Sequence, residues 1–314
     1  AGGGAVFMGL VRAGHHVIAG DQLYGRSLRL MADDLPRFGV DVTLANASDA
    51  RTVAAAVTPA TKLILIEVVS NPTIRIADLD GIAAIAREAG ALLVVDNTFT
   101  TPRAIQPLER GADIVLHSVT KLLAGHSDAT LGWVGAKNAD LLAEVERFAV
   151  TMGLTASPFD CWLAERGLMT FDLRYDRAEA NAAGLAAVLS KTEGVKQVLY
   201  PTDADHPDRA LASSLLGNRG SHMVSFVIDG GRTQAERLVR AVAQDIAFAP
   251  TLGDIATTLS HPASSSHRAL SAEAQAAIGV SEGFFRVSVG CEPLERITDV
   301  LTRGVAAAYS PDNE

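Results

Sequence analysis

An aspartate and a lysine each follow an apolar run in the middle of the chain. Asp96 comes directly after the run 92–95, and Lys121 follows the run 114–120. Both runs are typical of buried strands in a parallel sheet. Side chains just past the carboxyl ends of such strands line the crevice in which ligands bind. We therefore expect Asp96 and Lys121 to face one pocket.

A lysine at this position has two interpretations. The simpler one, on the lysine alone, is a phosphate clamp or a salt bridge to Asp96. The other is a desolvated amine that attacks an aldehyde and forms a Schiff base. A pyridine aldehyde cofactor, pyridoxal phosphate, needs that amine, an acid for its ring nitrogen and donors for its phosphate. Lys121, Asp96 and the hydroxyls of Ser118 and Thr120 have the required chemistry. If Ser118 and Thr120 end a strand, they share a face while Lys121 points elsewhere.

Several segments together resemble a known family. In chain order within 17–306 they are LYG, SNPT, VVDNTFTTP, GADIVLHSVTKLLAGHSD, SPFDCWLAERGLMT, HPASSSH and FRVSVGCE. They closely resemble the Cys/Met metabolism enzymes that depend on pyridoxal phosphate. That family contains cystathionine γ-synthase, cystathionine γ-lyase, methionine γ-lyase and O-acylhomoserine sulfhydrylase.

The fold class predicted for this chain is α/β. Buried strand candidates that alternate with helices indicate a mainly parallel sheet with helices on both faces. The resemblance implies a fold-type I transferase with a smaller α+β domain at the C-terminus. We predict a cofactor-binding domain over 1–172 and a small domain over 173–314. Strands predicted at 195–200, 223–228 and 284–289 alternate in polarity, which favours a second sheet with one exposed face.

The resemblance assigns roles to further residues. Tyr24, which could be a plain packing aromatic, is expected to stack on the cofactor ring and to exchange a proton with the substrate. Asn71, otherwise a turn residue, is expected to bind the ring hydroxyl and contact substrate. Arg286 interrupts an apolar strand, so it is either part of a structural ion pair or a fork for the substrate carboxylate. The family resemblance favours the fork, and it places Thr251 in a substrate-contacting loop.

One position departs from the pattern of the family. Arg26 follows Tyr24 and Gly25, where the family usually has a small residue. An arginine there either binds a second carboxylate or points to solvent, and the two alternatives leave the substrate class open.

The predicted function is transsulfuration, in which a Cγ–S bond of a homoserine- or homocysteine-derived amino acid is made or broken. Lys121 and Tyr24 are the expected catalytic residues, in an enzyme of cystathionine γ-lyase or γ-synthase type. O-acylhomoserine sulfhydrylase or methionine γ-lyase activity is the alternative. An alternative of another class is a non-catalytic assembly or regulatory protein that keeps the fold.

Composition limits the partners. The 314 residues carry a formal charge of −9, which argues against nucleic acid and anionic membranes. Two cysteines far apart form no metal set, so no metal site is predicted and a cytoplasmic location is expected. The resemblance implies a homotetramer, a dimer of dimers with shared active sites. It also places a phosphate-binding turn and an N-terminal arm before Ala1, so that segment is expected to be missing from this chain. The alternative is a short local deletion that makes Gly2 to Gly4 the remnant of the turn.

Overall fold

A computed structural model describes residues 2–265, 268 and 271–310 of the chain. The strands are β1 (His16–Gly20), β2 (Asp41–Ala45), β3 (Thr61–Glu67), β4 (Leu92–Asp96), β5 (Ile114–Ser118), β6 (Gly132–Ala136), β7 (Val195–Leu199), β8 (Met223–Ile228), β9 (Ala247–Phe248), β10 (Thr258–Ser260) and β11 (Phe284–Ser288). The helices are α1 (Gly2–Leu10), α2 (Gly25–Arg29), α3 (Ala50–Ala56), α4 (Leu79–Ala89), α5 (Thr101–Ala104), α6 (Ala139–Thr151), α7 (Pro158–Leu168), α8 (Phe171–Leu189), α9 (Arg209–Leu216), α10 (Arg232–Val242), α11 (Ala272–Ala277) and α12 (Leu294–Tyr309). Short 3₁₀ or π turns lie at 30–38, 107–110 and 262–264.

The first sheet has six strands in the order β2-β1-β3-β4-β5-β6. All neighbours are parallel except β5 and β6, which are antiparallel. Both of its faces are covered, because alternate residues of each strand enter two different apolar cores. Ile64 and Val95 pack with α3 and α4 on one face, whereas Leu65 and Val94 pack with α1 and α6 on the other. The predicted α/β class with helices on both faces is confirmed.

Helix α4 shows how local sequence fixes one of these layers. The Asp78 side chain accepts the Gly81 N–H at 3.1 Å and so caps the start of the helix. Gly90 ends the helix with φ 64°, a left-handed conformation that glycine adopts without a Cβ clash. Between these ends, Leu79, Ile82 and Ala86 are buried at helical spacing against the sheet.

The second sheet has five strands in the order β7-β8-β11-β10-β9. Its predicted exposed face is wrong for the central strands, since all five residues of β11 and five of the six in β8 are buried. One face packs on α8, α10 and α12, and the other packs on the core of the first sheet through Met223 and Phe284. Alternating polarity along these strands therefore reflects polar contacts at the junction between sheets. The Ser225 hydroxyl, for example, donates to the Pro72 carbonyl at 2.7 Å.

The predicted strand before Lys121 is too long. β5 ends at Ser118, and residues 119–124 form turns, so the shared face expected for Ser118 and Thr120 does not arise from strand geometry. The domain division at 172/173 stays a prediction, although α8 spans that point. Of the HPASSSH segment, Ser266 and His267 lie outside the described residues. No helix in the described ranges is both long and apolar enough to cross a bilayer.

Candidate active site

A cavity of about 470 Å³ opens at the carboxyl ends of β3, β4 and β5. Parallel strands bring their final side chains to one edge, which is why ligands bind there in open α/β sheets. Predicted site residues that line this cavity are Tyr24, Asn71, Asp96, Ser118, Thr120 and Lys121. Within the described residues, Arg286 and Thr251 do not line it, but each contacts a residue that does.

Lys121 lies in the turn that follows β5, and its side chain crosses to the second sheet. Its Nζ donates a hydrogen bond to the Thr251 Oγ1 at 3.0 Å. Among the ion pairs of residues 2–265, 268 and 271–310, none joins Lys121 to Asp96, so the simple salt bridge is not found. Burial lowers the lysine pKa, and the positive charge of Arg286 lowers it further. This environment favours the neutral amine, the form that acts as base or nucleophile.

Two contacts fix the backbone around Lys121. The buried Arg174 donates to the carbonyls of Leu122 and Leu123 at 2.7 and 3.0 Å and thereby ties this turn to α8. Gly253 packs so closely on the turn that a Cβ there would lie 2.5 Å from the Leu122 nitrogen. Any side chain at position 253 would therefore displace the lysine backbone.

The lowered pKa of Lys121 predicts amine reactivity at unusually low pH. In cofactor-free protein, an amine-directed acylating reagent should label Lys121 at a lower pH than the lysine of an unstructured peptide added to the same sample. The labelling midpoint moves to lower pH because burial disfavours the protonated amine, so the reactive neutral form persists to lower pH. Peptide mass spectrometry across a pH series measures both midpoints in one sample. Equal midpoints would contradict the prediction.

Asp96 ends β4, and Glu67 ends the neighbouring strand β3 at the paired register position. The Asp96 carboxylate accepts the Thr98 N–H at 2.9 Å. Burial raises the pKa of Asp96 despite the bonds from Thr98. The pKa of Glu67 lies well above its usual range, first because of burial and then because of the charge of Asp96. Burial and the proximity of the two groups therefore make it unfavourable for both carboxyls to be ionised at once.

Polar hydrogen-bonding groups meet at another wall of the cavity. The first residues of α1, Gly2 and Gly3, line it together with Ser118 and Thr120. The Thr120 hydroxyl donates to the Leu131 carbonyl at 3.2 Å and accepts the Leu131 N–H at 2.9 Å. The Ser118 side chain makes no hydrogen bond to the described residues, which leaves its hydroxyl as the available donor. A helix start beside a free hydroxyl suits an anion such as phosphate.

Tyr24 presents an open aromatic surface to the cavity. Its side chain is 45 % exposed, and its backbone N–H donates to the Glu67 Oε1 at 2.6 Å. A buried carboxyl thus anchors the backbone while the ring stays accessible. This geometry favours stacking on a flat ligand over the packing role that spacing alone suggested.

Arg286 lies on β11 with only 2 % of its surface exposed. Its two terminal nitrogens donate to the Asn71 Oδ1 at 3.0 Å and to the Thr251 carbonyl at 2.6 Å, and its Nε has no partner among the described residues. Burial lowers the Arg286 pKa to about 10. The structural ion pair considered from sequence is not found in the described part of the chain. A buried guanidinium with only neutral partners favours an incoming carboxylate.

Glu67, His117 and Trp133 also line the cavity and were not predicted. Glu67 had a usable signal, an acidic residue at the end of a buried apolar strand. His117 packs against Trp133 with ring centroids 5.6 Å apart, and burial lowers the His117 pKa to about 4. This histidine is therefore neutral, as expected for a packing residue. Within the described residues, no cluster of three or more potential metal ligands is present.

The residues fit pyridoxal phosphate on several observations. An amine with a lowered pKa, a buried carboxylate, a free hydroxyl at a helix start and an open aromatic ring line one cavity. Comparison with known proteins agrees, because the sequence model of the family described as "Cys/Met metabolism PLP-dependent enzyme" matches residues 1–306. The chain belongs to this family. It is therefore an enzyme that uses pyridoxal phosphate, and the predictions of family, cofactor and fold class are confirmed.

Members of the family with different activities are similarly close to this chain. It is 38% identical over 303 residues to the O-succinylhomoserine sulfhydrylase of Pseudomonas aeruginosa, covering 96% of this chain and 74% of that protein. It is 37% identical over 283 residues to the cystathionine β-lyase MetC of Bacillus subtilis, covering 90% and 72%. The structure of the Xanthomonas oryzae pv. oryzae cystathionine γ-synthase in complex with cystathionine superposes with a TM-score of 0.92 at 38% identity, covering 97% and 78%.

Proposed function

We propose that this enzyme makes or breaks the Cγ–S bond of amino acids derived from homoserine or homocysteine, as cystathionine γ-lyases and γ-synthases do. The observation that carries the proposal is the position of Lys121, an amine with a lowered pKa held by Thr251 in the cavity that Asp96 lines. Replacement or elimination at Cγ needs a base that acts at the α-carbon and again at Cβ. Lys121 lies on a turn that Arg174 fixes, and its flexible side chain can reach both the α-carbon and Cβ from that turn.

The proposed cofactor contacts follow from the walls of the cavity. Ser118 and Thr120 would hold the phosphate with the first amides of α1, and Asn71 would bind the ring hydroxyl. Tyr24 would cover the ring, and Asp96 would keep a proton on the ring nitrogen. When bound, the cofactor acts as a sink for the electrons left at the α-carbon. Lys121 would be the residue that binds the cofactor aldehyde.

The protein groups would then move protons in a fixed order. The neutral Nζ of Lys121 takes the proton from the substrate α-carbon and later exchanges one at Cβ. The phenol of Tyr24 protonates the leaving sulfur or oxygen, and the resulting phenolate takes a proton from an incoming thiol. Arg286 binds the α-carboxylate with Asn71 and Thr251, the two residues that its terminal nitrogens contact. These assignments make Lys121 and Tyr24 the catalytic residues.

The test is a panel of substrates with product analysis. Purified enzyme supplied with pyridoxal phosphate is given cystathionine, methionine, and O-succinyl- or O-acetylhomoserine with cysteine or with sulfide. Cysteine and 2-oxobutanoate from cystathionine indicate γ-lyase activity, and cystathionine formed from an acylhomoserine and cysteine indicates γ-synthase activity. Consumption of an acylhomoserine with sulfide indicates a sulfhydrylase, and methanethiol from methionine indicates methionine γ-lyase. Homocysteine and pyruvate from cystathionine would instead show cleavage at Cβ and contradict the proposal.

We also propose that the chain assembles as a homotetramer whose active sites lie at subunit contacts. An exposed apolar cluster supports an interface on α7 and the residues around it. Phe159 and Trp162 stack at 5.9 Å and are 64% and 55% exposed, and Val150, Met152, Met169 and Leu173 are exposed as well. Clusters of this kind mark protein–protein contacts on soluble proteins.

Replacing Trp162 by aspartate is expected to shift the assembly to smaller species. The change places a charge in the centre of the exposed apolar cluster and leaves the buried side of α7, at Ala164 and Gly167, untouched. Light scattering coupled to size exclusion measures the mass, with Leu44→Asp, an exposed apolar residue on β2, as the matched control. An unchanged mass for Trp162→Asp would place the interface elsewhere.

Two further assignments complete the proposal. We propose a cytoplasmic location, because Cys161 and Cys291 are both free and a reducing compartment keeps them so. We also propose the division into a cofactor-binding domain over 1–172 and a small domain over 173–314, which separates the two sheets.

A further inference from the structure

Arg26 lines the same cavity as Lys121 and Asp96. It lies on α2, two residues after Tyr24, whose N–H is anchored by the buried Glu67 carboxyl at 2.6 Å. The Tyr24 N–H bond fixes the start of α2 against the cavity, while the Arg26 side chain stays exposed. The cavity therefore has an exposed arginine among its lining residues, on a helix whose start is anchored.

Neighbouring arginines have carboxylate partners, and Arg26 does not. Arg29 lies 3.9 Å from Asp33, and Arg37 lies 3.9 Å from Asp34. The Arg26 side chain forms no ion pair or hydrogen bond with any residue that the structure describes.

The carboxyls inside the cavity are also engaged. Glu67 accepts the Tyr24 N–H, and Asp96 accepts the Thr98 N–H. Burial together with the charge of Asp96 raises the Glu67 pKa well above its usual range, and neither of these carboxyls is bonded to Arg26. The guanidinium consequently has both its charge and its planar donor fork available to a ligand in the cavity.

We propose that Arg26 is a specificity-determining residue that binds a second carboxylate, carried on the part of the substrate beyond the Cγ heteroatom. This inference rests on the proposed function, in which Arg286 binds the α-carboxylate. Arg286 is buried on β11 and contacts Asn71, whereas Arg26 is exposed on α2. The two cations thus lie on different elements, Arg26 on the cavity lining and Arg286 against the lining residue Asn71, and we expect them to bind the two ends of one dicarboxylic substrate.

The proposal names the substrate class. O-succinylhomoserine and cystathionine each carry a carboxylate beyond the Cγ heteroatom, whereas O-acetylhomoserine and methionine do not. A hydrogen-bonded charge pair of this kind is worth about 10- to 150-fold in binding. The enzyme should therefore prefer O-succinylhomoserine over O-acetylhomoserine, and cystathionine over methionine, by about 10- to 150-fold.

The experiment compares holoenzyme variants on matched substrates. We expect Arg26→Ala to lower kcat/KM for O-succinylhomoserine by about 10- to 150-fold, mainly through KM, and to leave O-acetylhomoserine within about 2-fold. Arg26→Lys should restore part of the loss because it keeps the charge without the fork. Arg37→Ala is the matched control, since it removes an equal charge from the same stretch of chain outside the cavity, and it should change neither substrate.

Binding measurements keep the test independent of turnover. Calorimetry with cystathionine and methionine, in a Lys121→Ala background that turns over neither ligand, should show that Arg26→Ala weakens only the first. Equal weakening of both ligands, or of neither, would overturn the proposal. A loss of pyridoxal phosphate affinity in Arg26→Ala would overturn it too, because Arg26 would then serve the cofactor phosphate. A wild-type enzyme that is inactive on every substrate of the panel would contradict the proposed function. An active wild type whose kcat/KM values are unchanged by Arg26→Ala would contradict this inference alone.

Discussion

Replacing Lys121 by alanine is expected to abolish turnover of every substrate in the panel. The variant loses the neutral amine that would bind the cofactor aldehyde and move protons at the α-carbon and Cβ. Positioned acid–base groups contribute about 10²- to 10⁴-fold, so the loss should reach at least that size. The visible absorbance of cofactor bound through a lysine should disappear as well.

The fold should survive this change. Nζ makes a single side-chain hydrogen bond, to Thr251, and the turn around it is held by Arg174 and by the close packing of Gly253. Circular dichroism and the thermal midpoint should stay near the wild-type values. Lys196→Ala, which removes an exposed lysine on β7, serves as the matched control and should be fully active. Turnover retained by Lys121→Ala would refute the mechanism.

Replacing Asp96 by asparagine is expected to lower kcat by about 10²- to 10³-fold, the usual effect of losing one preorganised electrostatic contact. Asparagine keeps the shape and can still accept the Thr98 N–H at Oδ1. It cannot carry the negative charge that we propose holds a proton on the ring nitrogen. Steady-state kinetics at saturating cofactor separates this effect from weaker cofactor binding.

Two comparisons make the Asp96 result specific. Asp205→Asn removes a charge from an exposed position and should leave kcat unchanged. Asp96→Glu keeps the charge and should retain more activity than Asp96→Asn. An asparagine variant with wild-type kcat would show that the ring nitrogen needs no acid from this strand.

The sequence predicts the first sheet well because its signals are local. Apolar runs predicted β4 and β5, and the position that follows the first run identified Asp96. The end of β5 was missed because Val119 is apolar and buried, although its backbone has left the sheet. Local composition does not distinguish a strand residue from a buried turn residue.

Contacts between distant segments explain the other misses. Glu67 was overlooked because its importance depends on Asp96 in the next strand and on the Tyr24 N–H. The second sheet was expected to have an exposed face because nothing local indicates that Phe284 packs on the first sheet. Arg286 was identified only as an exception within an apolar strand, and its partners Asn71 and Thr251 required the structure.

The seam between the two sheets has a thermodynamic consequence. Arg286 and Thr251 belong to the second sheet and its loops, whereas Asn71 and Lys121 belong to the first, and these four residues are joined by hydrogen bonds. A substrate that contacts both Lys121 and Arg286, as we propose, can bind only when both sheets are folded and packed together. Substrate binding therefore stabilises the whole folded chain by mass action. It adds about 2.7 kcal/mol to the free energy of unfolding when the free substrate concentration is a hundred times Kd.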